Sequence, residues 1–279
     1  MEGAQPLSWA GGPHGALVLH GITGTPASVR ALAATLAAAG LAVEAPVLPG
    51  HGTTVDDLAG VGWVDWVGAV EEAYAGLAGR CGRVVVAGLS MGGTLACRLA
   101  ADHPEVAGLV CINPYIDPPA ESFLALLRDW LAHGSTMLPA IGADIARPGG
   151  REPAYPQLPV APMLSLLEAV VELEASLPRI ACPLLLCTSA VDHVVPPRSS
   201  DVLADRVSGP VRRVLLERSF HVATLDHDAE LIERRAAAFA AEVTGASAVS
   251  RETADEVPLA TPWPHKPAGQ QLGPAAADP

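Results

Sequence analysis

Three stretches of this chain carry residue types that can do chemistry. Ser90 stands in "GLSMGG", a G-x-S-x-G pattern made with Gly88 and Gly92, directly after the apolar run "RVVVAG". A strand that turns sharply into a helix strains its central residue and pushes that side chain into the open. Residues two positions before and after must then be small. The same turn sets Ser90 at a helix N-terminus, where free amides and the macrodipole favour developing negative charge. The strand-to-helix setting marks Ser90 as a nucleophile rather than an incidental serine in a glycine-rich turn. In "LHGITGTP" a strand ends at His20-Gly21 and a small loop follows. Backbone N–H groups are the donors an oxyanion needs, worth about 3–4 kcal/mol in the transition state, and Ile22 and Met91 are placed to supply them. His20 competes as the base, but its place at the strand end suits a residue that braces the loop. The third stretch, "RSFHVATLDHD", sets His221, Asp226, His227 and Asp228 close together. It reads as a metal site, an acid–base pair or the polar start of a helix, although its spacing does not supply a full metal-ligand set.

The elements that must position these groups follow an alternating rhythm. "ALVLH", "LAVEAP", "RVVVAG" and "VAGLVCIN" are strand-like, and "PASVRALAATLAAAG", "WVDWVGAVEEAYAGL" and "LSMGGTLACRLA" between them are helix-like. Such alternation implies βαβ units, a mostly parallel sheet and helices on both faces. From Pro114 to about Pro178 no convincing strand is present. Two apolar helical stretches there flank the turn-rich "IGADIARPGGREPAYPQLP", which reads as an insertion. The rhythm returns with "PLLLCTS", "RSSDVLADRV", "VRRVLLE" and a closing helix. The expected organisation is a core over 1–113 and 179–244, an insertion over 114–178, and a disordered Pro/Ala-rich tail over 245–279.

Composition narrows the function classes. A net charge of −13 argues against a nucleic-acid partner, which requires a basic face. Five scattered cysteines without metal-ligand spacing suit buried thiols in a reducing compartment. No signal peptide is visible, and no run approaches the roughly 18 apolar residues of a membrane span, so a soluble cytoplasmic protein is expected.

Taken in order, "HGITG", "LPGHG", "GLSMGG", "SAVDHVVPP" and "SFHVATLDHD" resemble the α/β-hydrolase superfamily, and more closely its small bacterial carboxylesterase and monoacylglycerol lipase group. The resemblance runs from about Ala16 to Val243. It implies an α/β-hydrolase fold with a cap between the sixth and seventh core strands. It also implies Ser90 as nucleophile, Asp192 as acid and His221 as base, with no cofactor and no metal. The elements agree: Asp192 and His221 each follow a strand by a short loop, which in a parallel sheet brings them to the edge where Ser90 emerges. His193 is then structural, and Asp226 and Asp228 belong to the start of the last helix. Ile22 stands where these proteins often carry phenylalanine; the donor is an amide, so pocket shape changes and the chemistry does not.

The resemblance extends to substrate. Leu124, Leu126, Leu127, Leu131, Leu164, Leu166 and Leu167 either line an apolar acyl channel or pack the cap onto the core. Ile141 is implied in the pocket wall. Glu152 either accepts hydrogen bonds from glycerol hydroxyls or is a solvated surface carboxylate. The expected substrate is a fatty-acyl ester such as a monoacylglycerol. Thioester hydrolysis or acyl transfer would use the same residues, and a silent ligand-binding homologue would lack turnover. No stable membrane insertion is expected, only transient contact of the cap with a lipid surface, and no oligomeric state is assigned.

Overall fold

The computed structural model describes residues 1, 3–140 and 143–245; Ile141 and nearly all of the expected tail lie outside them. The chain forms β1 (Leu7–Trp9) and β2 (His14–Leu19), then a 3₁₀ turn leading into α1 (Arg30–Ala38). β3 (Ala42–Ala45), the short α2 (Val55–Ala59) and α3 (Trp63–Ala78) follow. β4 (Arg83–Leu89), α4 (Met91–Asp102) and β5 (Gly108–Ile112) complete the first part. An excursion then carries α5 (Glu121–Ala132), β6 (Met137–Pro139), β7 (Gln157–Pro159) and α6 (Val160–Glu174). The chain returns through β8 (Leu184–Ser189), α7 (Arg198–Arg206), β9 (Val211–Leu216) and α8 (Ala229–Thr244).

Seven strands form one sheet in the order β1-β3-β2-β4-β5-β8-β9. All neighbours are parallel except β1, which runs antiparallel to β3 at the edge. The central strands are apolar along most of their length because both faces are covered, with polar residues (His14, Arg83, Thr188 and Ser189) only at strand ends. Alternation along each strand divides the core in two. Leu17, Leu19, Val84, Val86, Leu109 and Cys111 pack under α3, α4 and part of α6. Ala16, Val18, Val85, Ala87, Val110 and Ile112 pack under α1 and α8.

Two features depart from the sequence expectation. The excursion contains a two-stranded antiparallel ribbon, β6 with β7, where no strand was expected. Its strands are three residues each, too short for a period-two pattern to register. Counted along the main sheet, the excursion also runs from the fifth strand to the sixth, rather than from the sixth to the seventh. The N-terminal edge contributes one antiparallel strand ahead of β2, where the expected count needs two.

The loops at the carboxyl edge are braced by buried imidazoles. His20 is fully buried; its Nε2 accepts from the Leu48 amide (3.1 Å), so its Nδ1–H donates to the Gly21 carbonyl (2.9 Å). With both nitrogens engaged it serves as a brace and not as a base. His51 packs edge-on against it at 4.9 Å and bonds the Pro49 carbonyl, to which Trp66 Nε1 also donates. Burial, then the neighbouring His51, pushes His20 down to about 3, and burial pushes His51 down to about 4. Unfolded, both take up a proton below about 6.5. The stability they confer is therefore complete above that value and is lost as pH falls, towards about 4 for His51 and about 3 for His20. Each contributes a slope of up to about 1.4 kcal/mol per pH unit. Denaturant unfolding at pH 7 and pH 5 should show a stability loss that is smaller in His51→Gln than in the wild type by about 2 kcal/mol. Equal losses in the two proteins would contradict this reading.

Candidate active site

Ser90 occupies the turn between β4 and α4 at φ 55° and ψ −120°, a conformation L-residues rarely adopt. Its amide donates to the Ile112 carbonyl at 2.9 Å, and its own carbonyl accepts from Gly93 and Thr94 at 2.9 and 3.1 Å. The glycines are required by contact: a Cβ on Gly88 would lie 2.2 Å from the Gly92 carbonyl carbon. One on Gly92 would lie 2.3 Å from the Leu19 carbonyl oxygen. The "HGITG" loop packs directly on the serine, since a Cβ on Gly21 would approach Ser90 Cβ to 3.3 Å. The Met91 amide is the first of α4 and so has no partner within the helix. Ile22 lines the same cavity as Ser90, and Thr23 beside it holds φ 62°.

Asp192 and His221 meet as their strands predict. His221 Nδ1 lies 2.7 Å from Asp192 Oδ2, and both side chains are buried. The other oxygen of Asp192 accepts from the Val194 and Val195 amides at 2.8 and 2.7 Å. A carboxylate held this way fixes the imidazole with its proton on Nδ1 and leaves Nε2 free to accept one. Ser90 and His221 open onto one cavity without a hydrogen bond between them among the described residues, a looseness common before substrate binds.

Side chains that the motifs did not single out hold the two loops. Asn113, at the end of β5 with φ 44°, donates to Ser189 Oγ (2.9 Å) and the His221 carbonyl (2.8 Å), and accepts from the Ser189 amide (2.8 Å). Its signal was an asparagine at a strand end before proline, a residue type that tolerates the left-handed region. Asp144, from the excursion, accepts from the amides of His193 and His221, both at 3.1 Å, and faces His193 Nδ1 at 2.8 Å. Burial opposes its ionisation, but these donors together hold its carboxyl below the usual range. Asp226 is not part of a helix cap. It accepts from the amides of Phe220, Ala146, Arg147 and His227 at 2.6–2.9 Å, and these donors outweigh burial to lower its pKa. Asp228 stands at the start of α8 but accepts from the Arg218 amide instead of a helix amide. Helix-start chemistry and loop-tying chemistry use the same residue types, so composition alone does not separate them.

The cavity above Ser90 is about 270 Å³. The core supplies its floor, while Leu138, Leu158 and Met163 of the excursion supply an apolar wall. None of the seven leucines considered for an acyl channel lines it. Leu124, Leu127, Leu164 and Leu167 form a small core between α5 and α6; Leu166 joins the main core and Leu126 is exposed. Glu152 is half-buried in the cavity wall rather than solvated on the surface, and its Oε1 accepts from Ser28 Oγ at 2.6 Å. Burial raises its pKa, with the Ser28 hydroxyl and His221 acting in the opposite sense. Among the described residues no cluster of three or more His, Cys, Asp or Glu has metal-binding geometry, and no helix is long and apolar enough to cross a membrane.

Residues 13–228 match the family described as serine aminopeptidase, S33. The thermostable monoacylglycerol lipase of Bacillus sp. (strain H-257) is 41% identical over 249 residues, covering 88% of this chain and 97% of that one. The carboxylesterase of Bacillus subtilis (strain 168) is 25% identical, covering 82% and 93%. The solved structure reported under LipS and LipT, two metagenome-derived lipolytic enzymes, is 39% identical with a TM-score of 0.83, covering 87% and 99%. Fold, site geometry and similarity over most of its length agree that the chain belongs to this serine hydrolase family of the α/β-hydrolase fold.

Proposed function

We propose that the protein is a serine carboxylic-ester hydrolase of the carboxylesterase and monoacylglycerol lipase type, with Ser90 as nucleophile, His221 as base and Asp192 as the acid that orients it. One observation carries the reading: a strained serine and a histidine 2.7 Å from a buried aspartate share the floor of a single apolar-walled cavity. Neutral His221 takes the Ser90 proton as Oγ attacks the ester carbonyl. The carbonyl oxygen becomes an oxyanion that accepts from the Ile22 and Met91 amides. Collapse expels the alcohol, which leaves with the proton from His221, and the acyl group stays on Oγ. Water, deprotonated by the same histidine, then releases the carboxylic acid and restores Ser90. Every proton and bond in this cycle is accounted for by chain, ester and water.

The substrate class rests on the cavity and on similarity to a monoacylglycerol lipase. Residues 114–178 act as the cap, and its apolar wall suits a fatty-acyl chain. At the other end, Ser28 occupies one oxygen of Glu152 and leaves the second to accept from a glycerol diol. Five free cysteines, four of them buried, suit a reducing compartment such as the cytoplasm.

Asp192→Asn should lower kcat on p-nitrophenyl esters by about 10⁴-fold with KM little changed, because an amide no longer fixes the productive tautomer. A loss below about ten-fold would place the acid elsewhere. Glu152→Ala should cost about ten-fold or more in kcat/KM on 1-monoacylglycerol, the scale of one hydrogen bond to a charged group. Turnover of a plain alkyl ester of equal chain length should stay near wild type. Matching losses on the two substrates would remove Glu152 from alcohol recognition.

A further inference from the structure

Catalysis in the reading above requires two separate loops to hold one geometry: the loop after β8 that carries Asp192 and the loop after β9 that carries His221. Their shared hydrogen bond is 2.7 Å, and misplacement by about 1 Å can cost on the order of 10²-fold in rate. Something must fix their separation from outside the pair. Asn113 and Ser189 hold the His221 loop from the sheet side through carbonyl groups. The amide side of both loops is held by a different group.

That group is Asp144. Its Oδ2 accepts from the His221 amide and from the His193 amide, the residue after the acid, each at 3.1 Å. Its Oδ1 faces His193 Nδ1 at 2.8 Å. Its own carbonyl accepts from the Val222 amide at 3.0 Å, so it is bound to the base loop on two sides. The Asp144 side chain is 10% exposed. One carboxylate oxygen therefore spans the backbones of the acid and base loops, with no contact to the cavity. Two and three residues along, the Ala146 and Arg147 amides donate to Asp226 beside the same loop, so this part of the excursion is tied to the His221 loop a second time.

We propose that Asp144 is a positioning residue: it sets the distance between the Asp192 and His221 loops and makes the base pair depend on a seated excursion. The proposal rests on the acid and base assignment made above. His193, beside the acid, has its role through the same carboxylate. Its half-exposed ring, packed edge-on against Phe220 at 4.7 Å, aims Asp144 instead of touching substrate.

The test compares the wild type with Asp144→Asn, His193→Ala and the double variant, using a soluble short-chain p-nitrophenyl ester. The low-field proton signal of the His221 Nδ1–H is recorded by NMR alongside. Asparagine keeps the shape and one acceptor oxygen for the two amides, but it loses the carboxylate charge and sets an NH₂ against His193 Nδ1, so the bridging bonds weaken from charge-assisted to neutral. Asp144→Asn should lower kcat by about ten-fold at a KM within about two-fold, and should shift or broaden the low-field signal. His193→Ala removes a half-exposed ring without threatening the fold. It should lower kcat a few-fold in the same way, and the double variant should be no worse than Asp144→Asn alone. Wild-type kcat in Asp144→Asn, or a loss that appears in KM with the low-field signal unchanged, would overturn the proposal. If Asp144→Asn does not fold, His193→Ala decides alone: a few-fold loss of kcat supports the proposal, and wild-type kcat with an unmoved signal overturns it. Wild-type turnover abolished by Ser90→Ala is the separate check on the hydrolase reading. The low-field signal reports on Asp144 even if no ester is turned over.

Discussion

At φ 55° and ψ −120°, Ser90 holds a backbone conformation that an L-residue abandons unless its surroundings forbid every alternative. Strain of this kind costs about 1–3 kcal/mol and persists only where the structure over-determines it. Here the determinants are the central position of β4, the contact of Gly88 with Gly92, and the contact of Gly92 with the end of β2. No side chain fits between these backbones, so α4 starts where β4 ends and its first amide stands beside the serine. In the proposed chemistry the nucleophile and one oxyanion donor thus come from a single turn, and the "HGITG" loop proposed to offer the other is packed against it.

The remaining groups reach Ser90 through the parallel sheet. Strand β8 pairs in parallel with β5, and β9 with β8, so the loops that follow them emerge on the edge where β4 ends. Register alone leaves such loops free to move by more than catalysis tolerates. Buried polar groups limit that freedom: Asn113 from the sheet, Asp144 and Asp226 between the excursion and the His221 loop, and His20 under the "HGITG" loop. Each has most of its hydrogen-bonding capacity filled by backbone groups, which is the condition for burying it without a net penalty. The loops around the cavity are therefore held by residues that do not line it.

Much of this was legible in the sequence, for physical reasons. The run "RVVVAGLSMGG" encodes strand, turn and helix in adjacent residues, so Ser90 and its glycines are read locally. Strand-then-loop placement brought Asp192 and His221 to the right edge, although choosing them over other polar residues took the resemblance of "DHVVPP" and "HVATLD" to known hydrolases. The excursion was less legible. Its ribbon strands are too short to show alternation, and its leucines are spaced alike whether they face one another or a ligand. Four of the seven turned out to bind α5 to α6, while the cavity wall came from Leu138, Leu158 and Met163. The roles of Asp144 and Asp226 arise from contacts 49 to 80 residues apart, which no local pattern encodes. Asp226 in particular reads as the start of a helix, because the sequence shows only that an acidic residue precedes one.

The proposed hydrolysis requires Ser90 to form a covalent acyl-type adduct with the help of His221 and the elbow. The most direct measurement treats the native protein with an alkyl phosphonate that reacts with activated serines, then locates the added mass by peptide sequencing. One equivalent on Ser90 is the predicted result, absent from Ser90→Ala and from protein unfolded before treatment. A protein that hydrolyses esters while Ser90 stays unmodified, or that carries the adduct on another residue, would contradict it.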